Sequence, residues 1–114
     1  SNSFSDVFDT AIPLYDGGLS QWDNEEWATV TLFAGLLARY PDSHIERKFG
    51  IECARQVSAR MAKIEAWLSA CRSPQKSLGH LRDVDREFKS RGINPGTTAD
   101  LTVATLLAAK LASL

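Results

Sequence analysis

Asn94-Pro95-Gly96-Thr97-Thr98-Ala99-Asp100, running directly into the apolar segment from Leu101 to Leu114, decides how this chain is read. Pro95 fixes its own φ and biases Asn94 towards extended geometry, and Gly96 lets the backbone turn sharply or approach a ligand closely. A helix is predicted to open there with Thr97 as its N-cap. Asp100, three residues on, makes a variant of the S/T-x-x-E capping box. From Thr98 to about Ser113 this helix is small and apolar nearly all round, with Ala99, Ala104, Ala108, Ala109 and Ala112 set among leucines. Neighbours can approach such a helix closely on every side, so a central position is predicted for it.

Working outward, every other periodic segment also reads as helix, and no run alternates as a strand does. A first helix is expected over Phe4 to Ile12, stopped by Pro13, with Tyr15-Asp16-Gly17-Gly18 as a turn. Asn24 is placed to cap a second helix whose first turn carries Glu25 and Glu26 against the positive dipole end. Tyr40-Pro41-Asp42 interrupts it, and Asp42 can cap the next. That helix begins at Ser43, pauses or kinks at Gly50, and continues to Cys71. Ala54, Val57, Met61, Ile64, Leu68 and Cys71 form its packing stripe at steps of three and four. Ser73-Pro74 is a helix start signal, Leu78, Leu81, Val84 and Phe88 line an inner face, and Gly92 ends that helix. The expected fold is all-α: one domain over residues 1–114, a single compact bundle of five to six helices with the C-terminal helix central.

Composition narrows the function classes. With 44% hydrophobic and 24% charged residues the chain has the makings of an ordinary globular core, and a formal charge of −1 offers no basic footprint for nucleic acid. The apolar C-terminal run is too short to span a bilayer. Cys53 and Cys71 have no ligand-spaced partners. Were they on one helix, their spacing of 18 positions would separate them by about 27 Å, too far for a disulfide. They read as small buried apolar residues, and the cytoplasm is the expected compartment.

Two polar segments exceed what a bundle needs. In Asp42-Ser43-His44-Ile45-Glu46-Arg47-Lys48-Phe49-Gly50, a helix puts His44 and Lys48 on one face and Ser43 and Arg47 on the next. Arg offers a fork and Lys a point charge to phosphates; the plainer alternative is a solvated face with Asp42 as a simple cap. The second segment, Asn94 to Asp100, has the ingredients of an anion site at a helix N-terminus. Asp100 in the first turn repels a phosphate there, so nucleotide binding at this loop implies a bridging divalent cation such as Mg²⁺, or Asp100 acting as a base. Cap and ligand both remain open. Trp22, Trp27 and Trp67 are stacking surfaces for an adenine on one reading and core residues on another. His80 and the charged set from Arg82 to Lys89 read as a solvated face.

The run from Arg91 to Leu106, centred on Asn94-Pro95-Gly96-Thr97-Thr98-Ala99-Asp100, resembles the C-terminal signature of the triphosphoribosyl-dephospho-CoA synthases. The stretch from Leu36 to Gly50 is similar to that family's upstream "Asp-x-x-Ile-x-Arg-Lys-x-Gly" block, and Phe4 to Gly18 is similar but less specific. The resemblance implies a helical transferase in which the 2′-hydroxyl of 3′-dephospho-CoA attacks the anomeric carbon of ATP and displaces adenine, making the prosthetic-group precursor of acyl carrier proteins. It implies Asp42 and Asp100 as carboxylates (base, stabiliser or Mg²⁺ ligands), and His44, Arg47, Lys48, Asn94, Gly96, Thr97 and Thr98 as contacts for ATP. Family enzymes are longer and carry further motifs in an N-terminal half, so the chain is expected to correspond to the C-terminal portion. On its own it is expected to have little activity unless a homodimer or a complementing N-terminal portion supplies the rest. The family extends to one-carbon pterin pathways, which leaves a different acceptor as an alternative; a catalytically silent helical assembly module is the other.

Overall fold

A computed structural model describes the chain over residues 4–70 and 78–112; the side chains of residues 4–6, 78, 80, 97, 100, 104, 108 and 110–112 lie outside that description. Six helices follow one another: α1 (Phe4–Trp22), α2 (Glu25–Arg39), α3 (Ser43–Phe49), α4 (Ile51–Ala70), α5 (Leu78–Ser90) and α6 (Gly96–Ala112). No strand occurs among the described residues, and the all-α expectation holds. The expectations for Cys71, Ser73 and Pro74, and those for the side chains of Phe4 and His80, fall outside the described residues.

The first helix departs from the sequence reading. α1 passes through Pro13 and through Gly17-Gly18 without a break. Pro13 is exposed and costs the helix about 3 kcal/mol. Against that, Val7, Ala11 and Tyr15 bury one face on Ala28, Leu32 and Leu36 of α2, and each large apolar side chain fully buried returns about 1.5–3 kcal/mol. Gly18 lies on the same face, where an added Cβ would come within 2.9 Å of the Ala28 Cα. It is a spacer between two helices, not a turn residue.

Asn24 caps α2 as expected, its Oδ1 accepting the Trp27 N–H at 2.9 Å. α2 is buried on two sides and contributes to both apolar cores. Leu32 and Leu36 join α1 and the Leu101, Leu106 and Ala109 side of α6. Ala34 and Leu37 join Ile45 of α3, the α4 stripe Ala54, Val57, Met61, Ile64 and Leu68, and Val84 and Phe88 of α5. The predicted α4 stripe is therefore buried in full over its described part. Gly50, at φ +92°, separates α3 from α4, settling the pause-or-kink alternative as a break.

α6 packs against α1, α2 and α3, a junction position consistent with the predicted central helix, but it is not enclosed. Val103 and Leu107 on its outer side are 56% and 58% exposed, and it is α2 that contributes to both cores. The molecule measures 40 × 34 × 18 Å, a slab two helices thick. Among the described residues no helix is long and apolar enough to cross a membrane.

Candidate functional site

Asp42 joins the two polar segments. Its side chain is 1% exposed and both oxygens are occupied. Oδ1 accepts the N–H groups of His44 at 2.9 Å and Ile45 at 3.1 Å, capping α3. Oδ2 accepts the N–H of Thr98 at 2.7 Å and its hydroxyl at 2.8 Å. One carboxylate thus satisfies orphan donors at the N-termini of two helices, where both macrodipoles favour a negative charge.

The start of α6 differs from the sequence expectation. Its first helical bond runs from the Ala99 N–H to the Pro95 carbonyl, 3.0 Å. The helix opens at Gly96, two positions earlier than predicted, so Thr97 lies inside the first turn and is not the N-cap. The helix start is capped through a different donor, the Thr98 N–H on Asp42, while the Ala99 N–H that a Thr97 cap could have served goes to Pro95. The side chains of Thr97 and Asp100 lie outside the described residues, so the capping box and the Asp100 role are not located by it. Thr102 and Thr105 are buried on the same α6 face, their hydroxyls donating to the Thr98 and Leu101 carbonyls at 2.8 Å.

The loop before α6 is clamped from both ends. Gly92, at φ +67°, ends α5 with paired bonds from its own N–H to Lys89 O (3.2 Å) and from the Ile93 N–H to Phe88 O (2.8 Å), a Schellman closure. The face of α3 that carries His44 and Lys48 then lies along this loop. A Cβ on Gly96 would meet the His44 ring at 3.9 Å, and one on Gly92 would meet Lys48 Nζ at 3.8 Å. Lys48 Nζ also stands 5.4 Å from the centre of the Phe49 ring. Arg47 and Lys48 are exposed, and neither forms an ion pair among the described residues. The structure therefore brings together Asp42, His44, Lys48, Gly96 and Thr98; Arg47 is on the adjoining face of α3 and Asn94 is exposed on the loop.

Among the described side chains, which leave out Asp100, these groups do not assemble a metal site. No cluster of three or more His, Cys, Asp or Glu side chains suited to an ion occurs among the described residues. Asp42 has its oxygens committed to four protein donors, so it does not fit as a Mg²⁺ ligand in this arrangement. Thr98 likewise has its N–H and hydroxyl already bonded.

Two features escaped the sequence reading. Arg60 of α4 pairs with Glu87 of α5, and Arg91 Nη1 lies 3.7 Å from the same carboxylate. The hydrogen bond from Arg60 holds the Glu87 carboxyl below the usual glutamate range, with the nearby charges of Arg60 and Arg91 adding to it. The second is an apolar slot of about 340 Å³ between α2, α4 and α5, whose far wall is Ile93, Asn94 and Pro95. The apolar α5 stripe signalled a buried face, but nothing local signalled that it stands off from α2.

A family sequence model described as "CitG: ATP:dephospho-CoA triphosphoribosyl transferase" matches residues 1–114 of this chain. No curated protein matches, and no solved structure matches.

Proposed function

Because the chain belongs to the ATP:dephospho-CoA triphosphoribosyl transferase family, we propose that it takes part in transfer of the triphosphoribosyl group of ATP to the 2′-hydroxyl of 3′-dephospho-CoA. The observation that carries this reading is the Asp42–Thr98 bridge. It sets the His44 and Lys48 face of α3 beside the loop that opens α6, so the two segments that resemble the family's blocks adjoin.

In the proposed reaction the C1′–O bond to the acceptor forms as the C1′–N9 bond to adenine breaks. The hydroxyl proton is passed, in net terms, to the departing adenine. The ribosyl centre becomes electron-poor on the way, and the triphosphate remains attached. Lys48 and Arg47 are assigned to the phosphates, as a point charge and a fork. The His44 ring and the Gly96 backbone are assigned to positioning the chain of phosphates along the loop, with Thr97 as a further donor and Asn94 as a further contact for the nucleotide. Asp100 is assigned as the carboxylate that takes the hydroxyl proton or steadies the ribosyl centre. Asp42 and Thr98 act by holding α3 and α6 in register. Mg²⁺, when bound, neutralises triphosphate charge; its proposed protein-side contact is Asp100.

A second reading is favoured by the exposed Val103 and Leu107 on α6: the chain is a non-catalytic assembly module whose outer α6 face meets another polypeptide. One experiment separates the two. Adenine release is followed from ATP and dephospho-CoA, with the chain alone and with a complementing N-terminal portion of a family enzyme, and ATP binding is measured calorimetrically in parallel. Mg²⁺-dependent ATP binding that is weakened at least tenfold in both Arg47→Ala and Asp100→Ala supports the transferase site. Binding that is absent, or unchanged in both variants, leaves only the assembly role.

A further inference from the structure

The apolar slot between α2, α4 and α5 and the polar surface described above share the Gly92–Gly96 loop: Ile93, Asn94 and Pro95 line the slot, and Gly92 and Gly96 adjoin Lys48 and His44. Its floor and sides are Val30, Phe33, Met61, Val84 and Phe88, and its far wall is the Ile93-Asn94-Pro95 segment. At about 340 Å³ it is within the range of small-molecule sites, ~300–1,000 Å³. Its polar residues are few and stand at its solvent-exposed rim: Asp85 and Lys89, an ion pair at 2.8 Å whose side chains are 63% and 77% exposed, and Asn94. Such sites typically combine apolar walls with a small number of placed polar groups. Here those are a carboxylate acceptor and an amide able both to donate and to accept. That set is complementary to the edge of an aminopurine, which presents an exocyclic amine beside a ring nitrogen acceptor. Two aromatic side chains, Phe33 and Phe88, offer faces or edges for the ring itself.

We propose that this slot holds the adenine base, while the phosphates run over the loop to the Lys48 and Arg47 side. The proposal rests on the nucleotide reading above and deepens it by giving the base a place. The loop is then the element a nucleotide straddles: Asn94 and Pro95 face the base, and Gly96 adjoins His44. Adenine is common to ATP and dephospho-CoA, so the same chemistry has two sources. Discrimination against other bases is assigned to Asp85, which accepts from the 6-amino group that inosine lacks.

The test titrates the intact chain with adenosine, inosine, tripolyphosphate, ATP and dephospho-CoA, read by calorimetry and by methyl shifts of Val30 and Val84. Wild type is compared with Val30→Trp, which fills the slot, with Asp85→Asn, and with Lys48→Ala, each checked for an unchanged thermal transition. Adenosine is expected to shift the Val30 and Val84 methyls and to bind about tenfold more tightly than inosine. Asp85→Asn is expected to erase that preference. Val30→Trp is expected to weaken adenosine and ATP at least tenfold and to leave tripolyphosphate unchanged. Lys48→Ala is expected to do the reverse, weakening tripolyphosphate and ATP but not adenosine. Competition of ATP or of dephospho-CoA with adenosine identifies whose base occupies the slot. ATP binding that is sensitive to Lys48→Ala, with no adenosine binding and no Asp85→Asn effect, overturns the slot and leaves the nucleotide reading standing. Adenosine binding without any tripolyphosphate or ATP binding overturns the phosphate assignment and leaves the slot.

Discussion

Thr98 gives both its backbone N–H and its hydroxyl to one oxygen of Asp42, 56 residues earlier in the chain. The other Asp42 oxygen caps α3, so a single buried carboxylate fixes the relative placement of two helix N-termini. Replacing it by Ala leaves the N–H groups of His44, Ile45 and Thr98 without their acceptor. An N-cap lost costs about 1 kcal/mol, and a buried donor left unsatisfied about 1–3 kcal/mol. Asp42→Ala is expected to lower stability by about 3–5 kcal/mol, and Thr98→Val, which removes only the hydroxyl, by about 1 kcal/mol. Urea unfolding measures both. Faster hydrogen exchange at the Thr98 amide in Asp42→Ala, matched by no change at Trp27, is the local signature; equal protection at Thr98 in mutant and wild type would contradict the double cap.

Adjacent glycines in α1 are expected to respond in opposite directions. A Cβ on Gly18 would meet the Ala28 Cα at 2.9 Å, whereas one on Gly17 meets nothing within 4 Å. Backbone cannot swing aside as a long side chain can, so Gly18→Ala must push α1 from α2 and is expected to cost about 1–3 kcal/mol. Gly17→Ala gains helix propensity on an exposed surface and is expected to stabilise by about 0.5–1 kcal/mol. Thermal melts of the two variants decide it, and a stabilising Gly18→Ala is the contrary result.

These two pairs also show what the sequence disclosed and what it withheld. Asn24 and Asp42 were legible as caps because capping is local: a short polar side chain a residue or two before a periodic run. The α4 stripe from Ala54 to Leu68 was legible for the same reason, its period being set by one helix alone. Pro13 and Gly17-Gly18 misled because their breaker signals are also local, while the burial of Val7, Ala11 and Tyr15 on α2 that overrides them is tertiary. Thr97 looked like a cap from its spacing to Asp100. The helix starts earlier because Asp42 already supplies an acceptor to Thr98, a contact no window of a few residues can contain. The candidate site was legible as two segments, and their adjacency needed the structure. The slot was not legible at all, since a gap between α5 and α2 leaves no mark on either helix.

The tie between α4 and α5 should show itself in acid. Glu87 is held below the ordinary glutamate value of 4.5, chiefly by the hydrogen bond from Arg60. A carboxyl with a depressed folded-state pKa binds fewer protons folded than unfolded at intermediate pH. Its stabilisation is therefore complete above the unfolded value and is lost as pH falls through the lower, folded one. Tm is expected to decline as pH drops below about 4.5, and Glu87→Gln is expected to flatten that part of the profile. Both partners are 37% exposed, so the difference between wild type and Glu87→Gln should shrink when salt is raised to 1 M. A pH profile identical in the two proteins would remove Glu87 from the acid response.

Gly96 separates a structural from a ligand-facing role for the loop. Its Cβ position is 3.9 Å from both Asn94 Oδ1 and the His44 ring, ordinary contact distances, and it is the first residue of α6. Gly92, by contrast, sits at φ +67°, where a side chain costs about 1–2 kcal/mol. Gly92→Ala is therefore expected to lower stability by about that amount, and Gly96→Ala to leave it unchanged or slightly raised. If phosphates lie against the loop backbone, the methyl of Gly96→Ala takes space between them and the His44 ring. ATP binding is then expected to fall five- to tenfold in a variant whose unfolding midpoint has not moved. Calorimetry and urea unfolding on the same sample give both numbers. A Gly96→Ala protein of wild-type stability that binds ATP as well as wild type would show that no phosphate approaches the backbone there.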